Sequence, residues 1–328
     1  MIAGAGADGG GGVLTDPLAP GLFVAVIPDT GPGSITAVLR GGAGMTERGT
    51  GLKLGLIGDN IAQSRAPLLH RLAGAQHGMA VTYDRLVPQD RGETFAEVFE
   101  DCRDGGYRGI NVTYPYKEVV VRELRIDDPL VRAIGAVNTV IFHGDGPRGH
   151  NTDHSGFMSA YRRVRGDADT GPVLLIGAGG AGRAVAFGLI ALGATDLRLV
   201  DRDRAKAAAL AHDLRRAMPD VVVSTGDDAV AAARGAAGLI NCTPVGMVGH
   251  DGTPLPRAAM AGAVWAFDAV YTPADTQFLT DAAAQGCDVI PGWELFFYQG
   301  VHAWAHFAGL PLDEDRLRHD LTQAADAP

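Results

Sequence analysis

Long apolar runs, pairable cysteines and an excess of positive charge are all missing from this sequence, and each absence narrows its function. No apolar stretch approaches the roughly 18 residues needed to cross a bilayer, and the N-terminus lacks the basic-then-apolar order of a secretory signal. Cys102, Cys242 and Cys287 are odd in number, far apart and outside any CxxC spacing. That argues against a disulfide framework or a zinc cluster and for a reducing compartment. A cytoplasmic location without membrane contact and without a metal is the expectation. Lys and Arg number 28 against 38 Asp and Glu, a formal net charge of −10. Such a balance works against binding nucleic acid or an anionic membrane, which needs clustered basic residues. An anionic small molecule would have to meet positive charge focused locally.

What is present reads as a globular α/β protein. A chain of 328 residues suits two domains of ordinary size, and 46% hydrophobic with 20% charged residues is a globular composition. Residues 1–50 differ from the rest. They carry a GADGGGG run and only short apolar stretches, FVAVI at 23–27 and SITAVL at 34–39, each able to form a short strand. Glycine-rich chain is entropically costly to order, so a flexible extension is expected there. Met45, just ahead of the regular pattern, is a candidate start.

From Lys53 the alternation is clear. LKLGLIG reads as a buried strand ending at Gly58, residues 67–77 as a helix with proline in its first turn, and VTYDRLVP as a strand. Residues 91–104 read as a helix and YRGINVTYP as a third strand. GAVNTVIF and the approach to GHNTD read as two more strands, followed by a helix through Met158 and Tyr161. The polar stretch RGDADTGP at 165–172 marks a boundary. Beyond it, VLLIG, LRLVD, VVVSTG, GLINCTP and VWAFDAVY alternate with helical segments, and apolar and polar helices at about 293–309 and 313–324 end the pattern. The expected fold is two-domain α/β with mainly parallel sheets. An N-terminal substrate domain would span 51–158, completed by helices at 291–324. A Rossmann-type dinucleotide-binding domain would span 159–290.

The glycine motif carries the cofactor reading. GAGGAG follows the strand VLLI and opens an apolar helix, with glycines at Gly177, Gly179, Gly180 and Gly182. Gly177 would permit the tight turn, Gly179 the approach of a pyrophosphate, and Gly182 the close packing of helix on strand. A helix N-terminus supplies N–H groups to phosphates. Asp201, at the end of the next strand, suits a ribose and would repel a 2′-phosphate, which favours NAD. Arg202, Arg204 and Lys206 favour NADP instead. Asn241 and Thr243, after the strand GLI, would line the nicotinamide side. Cys242 between them has no basic partner in sequence and reads as packing.

Three further segments concentrate small polar residues at strand ends: GDNIAQSRAP (58–67), NVTYPYK (111–117) and NTD (151–153). Together they suit a polyhydroxylated ligand, which needs many fixed hydrogen-bond partners. In this order, and with GAVNTV, the glycine loop, NCTPVGM, DAVYTP and GWELFFYQ, they resemble the shikimate dehydrogenase and quinate/shikimate dehydrogenase family over about 53–312. The resemblance implies that Lys117 and Asp153 form the proton-transfer pair for reversible reduction of the 3-dehydroshikimate carbonyl, or of its quinate-side counterpart. It implies that Ser64 and Tyr271 contact a ring carboxylate, and that Asn111, Thr113, Asn138 and Gln299 contact ring hydroxyls. The partners implied are a cyclohexene or cyclohexane carboxylate and NAD or NADP, with monomer and homodimer both open.

The sequence departs from the family pattern at two places. Ala66 stands where a second hydroxyl residue is usual, so one carboxylate hydrogen bond is lost unless Arg65 or a water replaces it. Trp293 and Glu294 would crowd or recharge the far end of the pocket. A non-catalytic cofactor sensor on the same fold is the competing reading, against which retention of both Lys117 and Asp153 speaks. His302 and His306, at i and i+4, lack a third ligand in view and read as helix packing.

Overall fold

Short aliphatic strands alternating with amphipathic helices build two sheets in the computed structural model, which describes residues 51–324. The expectations for the glycine-rich segment 1–50 lie outside the described residues. In the first sheet, β1 (Leu52–Ile57), β2 (Val81–Leu86), β3 (Gly109–Val112), β4 (Thr139–His143) and β5 (Gly146–His150) run in the order β2-β1-β3-β4-β5. Parallel pairing joins β1 to β2 and to β3, while β4 and β5 are antiparallel additions. A two-residue connection between β4 and β5 allows only an antiparallel hairpin, so this sheet is mixed. Helix α1 (Ala66–Gln76) follows β1, and α2 (Pro88–Arg91) and α3 (Phe95–Asp104) follow β2.

A short helix, α4 (Pro129–Ile134), escaped the sequence reading. Asp128 caps it, its carboxylate accepting the Leu130 N–H at 2.8 Å. With six residues it is too short for a 3.6-residue periodicity to stand out.

The second sheet is wholly parallel. Its strands are β6 (Val173–Ile176), β7 (Asp196–Val200), β8 (Val222–Gly226), β9 (Gly238–Asn241), β10 (Trp265–Asp268) and β11 (Asp288–Ile290), in the order β11-β10-β9-β6-β7-β8. The order reverses between β6 and β9, and open parallel sheets bind ligands at such a reversal, beyond the strand C-termini. Four helices accompany these strands: α6 (Gly180–Ala191), α7 (Arg204–Ala217), α8 (Ala229–Ala233) and α9 (Gln277–Ala284).

Helix α5 (Thr152–Arg165) carries the chain from the first sheet to the second, and α10 (Gly292–Ala308) and α11 (Glu314–Gln323) bring it back. Helices α5 and α10 lie against each other. Gly156 permits their approach, since a Cβ there would sit 2.8 Å from the Gln299 backbone nitrogen. α5 also anchors in the second sheet's core. Phe157 meets Phe267 edge-on with centroids 5.0 Å apart, and Tyr161 meets Trp265 at 5.1 Å. Truncating one such buried aromatic to alanine costs about 3–5 kcal/mol. The N-terminus of α5 is thereby a fixed platform between the sheets.

Candidate active site

That platform carries Asp153. Asn151 caps α5 by accepting the His154 N–H at 3.0 Å, and Asp153 follows in the first turn, its side chain 6% exposed. Lys117 arrives from the turn after β3. Its Nζ donates to Asp153 Oδ2 at 2.6 Å. The other carboxylate oxygen accepts from Asn138 Nδ2 at 3.0 Å. The same Asn138 amide reaches Thr152 Oγ1 at 2.9 Å and Gln299 Oε1 at 3.5 Å, and its oxygen accepts the Thr152 N–H at 2.7 Å. The pair is therefore held from both sides, and Gln299 is brought to it from α10.

The glycine loop lies beside this pair. Gly177 adopts φ +101°, and a Cβ there would sit 2.7 Å from the Cys242 carbonyl group, so the turn tolerates no side chain. A Cβ on Gly182 would overlap the Gly177 carbonyl oxygen, which is the close helix-on-strand packing expected of it. A Cβ on Gly180 would sit 2.8 Å from the Lys117 Cβ. The lysine–aspartate pair thus abuts the N-terminus of α6. That terminus has no side-chain cap, and the space beside Gly179 is open to within 3.9 Å of Glu118 Oε1. Uncapped N–H groups beside a cradle that side chains would fill are what a dinucleotide pyrophosphate requires, so the residues fit that cofactor.

Several predicted contact residues have a different task in the structure. Asn138 is 2% exposed, and its amide is engaged within the protein. Asn111 is 6% exposed. It accepts from the Tyr83 hydroxyl at 2.8 Å and donates to the Asn138 carbonyl and to Thr139 Oγ1. Asn241 is fully buried, donating to Asp268 Oδ1 and the Val245 carbonyl and accepting from the Thr243 N–H and hydroxyl. These three asparagines shape the site's floor and turns; their polar atoms are already occupied. Asp201 is half-way to that role, because its carboxylate accepts the Ala178 N–H at 2.7 Å and the Asp203 N–H at 2.8 Å and so braces the glycine loop. Arg202 is exposed. Arg204 pairs with Asp227, and Asp203 caps α7.

At the expected carboxylate end the structure sets Tyr271 near the Ser64 side chain, and two expectations there need correction. The Tyr271 ring stacks on Phe296 at 4.9 Å. Burial raises the Tyr271 phenol, against the Ser64 hydrogen bond and the charges of Arg85 and Arg65. Thr113 is half-buried at the end of β3. Arg65 does not replace the hydroxyl missing at Ala66. It bonds the Leu321 carbonyl and lies over the Trp293 ring at 5.1 Å. Glu294 does not recharge the pocket, because Arg318 of α11 holds both its oxygens at 2.8 and 2.9 Å.

Sequence reasoning passed over Asp268, which supports the turn after β9. Its oxygens accept from Asn241, the Val270 N–H and the Thr276 hydroxyl, and burial raises its carboxyl to about 6 against those hydrogen bonds. It opens the DAVYTP motif, and that strand-end position was its signal. Burial pushes the Cys242 thiol far up, consistent with packing and not with nucleophilic attack. His302 bonds the Ser155 hydroxyl through Nδ1 at 2.8 Å, and His306 stacks on His150.

A parallel sheet with this strand order, a glycine turn after its first strand and an adjoining lysine–aspartate pair place the protein among two-domain, dinucleotide-dependent dehydrogenases. Comparison with known proteins is more specific. Residues 56–140 match the shikimate dehydrogenase substrate binding domain. The chain is 38% identical over 279 residues to a shikimate dehydrogenase (NADP(+)) of Pseudarthrobacter chlorophenolicus, covering 84% of this chain and 95% of that one. It is also 38% identical to a quinate/shikimate dehydrogenase (NAD(+)) of Corynebacterium efficiens, covering 81% and 95%. A quinate dehydrogenase from Corynebacterium glutamicum, solved in complex with NAD, superposes with a TM-score of 0.74 at 33% identity over 83% of this chain and 99% of that one. The chain belongs to the shikimate/quinate dehydrogenase family. Among the described residues no helix is long and apolar enough to cross a membrane.

Proposed function

We propose that this protein catalyses the reversible, NAD(P)-dependent oxidation of shikimate to 3-dehydroshikimate, with Lys117 and Asp153 as the proton-transfer pair. The observation that carries the reading is the 2.6 Å Lys117–Asp153 contact, largely buried and set against the N-terminus of α6. Residues 51–158 with the helices at 291–324 form the substrate domain, and 159–290 the cofactor domain. Gly177, Gly179, Gly180 and Gly182 hold the pyrophosphate, Asp201 faces the adenosine ribose, and Thr243 lies toward the nicotinamide. Ser64, Tyr271, Thr113 and Gln299 face the ring acid.

Bound nicotinamide supplies the hydride acceptor or donor. The protein supplies the rest. In the oxidising direction the neutral Lys117 amine takes the proton of the reacting hydroxyl; in the reducing direction its ammonium returns a proton to the carbonyl oxygen. Asp153 keeps Nζ aimed and balances the ammonium charge, and Asn138 keeps Asp153 from turning. General acid–base help of this kind contributes about 10²–10⁴-fold.

A second reading, quinate or a related ring hydroxy acid with NAD, is favoured by two observations. Ala66 removes one carboxylate partner, and Asp227 neutralises Arg204, one of the basic residues suited to a 2′-phosphate. Following absorbance of the reduced cofactor with shikimate and with quinate, against NAD and NADP, decides between the two. Failure of the protein to turn over either acid while it still binds a dinucleotide would sink both and favour a sensor.

A further inference from the structure

We propose that Arg85 is the carboxylate anchor of the ring-acid pocket, taking over the hydrogen bond that Ala66 gives up. The proposal rests on the ring-acid reading above and assigns a residue to it. The register of the first sheet places Arg85 beside Leu56, and Leu56 beside Asn111, in one row across β2, β1 and β3. Side chains two apart on a strand share a face. Tyr83 and Arg85 therefore point to the same side, and the Tyr83 hydroxyl reaches Asn111 Oδ1, so this is the face of the sheet that carries the pocket floor. β2 is the edge strand, so no further strand lies outside Arg85.

The guanidinium is already at the carboxylate end. Arg85 Nη2 donates to the Ser64 backbone carbonyl. Ser64 and Tyr271, the two residues expected to meet the carboxylate, are neighbours there, and Arg85 is near enough to lower the Tyr271 phenol. Arg65, the other arginine of this neighbourhood, is drawn away to Leu321 and Trp293. Among the described residues no acidic side chain forms an ion pair with Arg85. A guanidinium has five N–H donors in a planar fork, and one bond to Ser64 leaves the others to take an anion. A protein of net charge −10 needs such a focus of positive charge to hold an anionic substrate.

An anchor of this kind recognises charge, and a hydroxyl pair recognises shape and hydrogen bonding. The wild-type protein should therefore favour shikimate over its neutral methyl ester by at least about tenfold in kcat/KM. Arg85→Gln should raise KM for shikimate about 10- to 100-fold, leave kcat and the cofactor KM within about twofold, and leave the methyl ester's kcat/KM nearly unchanged. Arg85→Lys should recover part of the loss as a point charge, and Ala66→Ser in the Arg85→Gln background should recover part as a hydroxyl. Equal losses for acid and ester would mean that Arg85 only props the Ser64 loop, and would overturn the proposal. So would an unchanged KM. The acid-to-ester ratio of the wild type keeps the test alive if Arg85→Gln does not fold: a ratio near one refutes the anchor. Absence of turnover of both shikimate and quinate by the wild type removes the parent reading and this one with it, whereas turnover with an unaltered KM in Arg85→Gln removes this one alone.

Discussion

Asn138→Ala separates two tasks open to the side chain, holding the substrate or holding Asp153. Its amide oxygen is an acceptor for the Thr152 N–H at 2.7 Å, and Thr152 is 1% exposed. Removing that acceptor leaves a buried donor unsatisfied, at about 1–3 kcal/mol. Its amide nitrogen donates to Asp153 Oδ1 at 3.0 Å, and hydrogen bonds to charged groups contribute about 1.5–3 kcal/mol. Urea denaturation should therefore show a loss of about 2.5–6 kcal/mol. The kinetic effect should fall on kcat. With one carboxylate oxygen released, Asp153 rotates and Lys117 loses its aim, so kcat should fall about 10- to 100-fold. KM for the ring acid should stay within about twofold, because Asn138 is 2% exposed and has no polar atom left to offer. Asn138→Asp adds a discriminating control. It keeps the acceptor for Thr152 but sets a second carboxylate beside Asp153, and like charges at that range raise one of the two pKa values. Its activity should shift along the pH axis in a way that the alanine variant's does not. A rise in KM at constant kcat for Asn138→Ala would refute the reasoning and return Asn138 to the substrate.

Other consequences follow from the same contacts. Gly180→Ala places a methyl group 2.8 Å from the Lys117 Cβ; kcat should fall at least about tenfold while the fold survives, and a variant as active as wild type would show that the lysine is not seated there. Acid stability should bear the mark of His70, which burial among Tyr83, Trp304 and Phe307 drives down to about 3 from its ordinary 6.5. Its folded pKa is the lower one, so its contribution is complete above pH 6.5 and is lost as pH falls toward 3, about 5 kcal/mol in all. Asp268 runs the other way. Its folded pKa is raised to about 6, so the stability it contributes is present below its usual value and lost as pH rises through 6. Melting curves from pH 7 to pH 4 should lose less stability in His70→Leu than in wild type, and parallel losses would contradict the assignment.

The elements with strong patterns were legible in the sequence. The glycine turn and the parallel alternation after residue 172 showed as residue types at characteristic spacings, whereas the Lys117–Asp153 pair came only from the family resemblance, since a lone Lys and a lone Asp carry no such signal. The short helices α4 and α9 did not, since a stretch of six to eight residues spans about two turns and leaves little periodicity to detect. The antiparallel hairpin of β4 and β5 depends on connection length, which a strand-by-strand reading underweights. The harder failure concerns the asparagines. A polar residue at a strand end looks the same in sequence whether its amide faces a ligand, as expected of Asn111, Asn138 and Asn241, or satisfies a neighbour's backbone, as observed. The difference lies in which donors and acceptors the fold brings into range. Arg85 was overlooked for the opposite reason. A lone arginine on a half-exposed strand is ordinarily solvated, and only the register with Leu56 and Asn111 connects it to the pocket.

The most direct test is the steady-state kinetics of Lys117→Ala with shikimate, alongside a separate titration of the dinucleotide. Turnover should fall by about 10²–10⁴-fold, with the dinucleotide's dissociation constant within about threefold of wild type, because the Lys117 ammonium reaches Asp153 and it is the aliphatic Cβ and Cδ that lie against Gly180. A modest loss of turnover, or a collapse of cofactor affinity that accounts for the whole effect, would contradict a proton-transfer role for the pair.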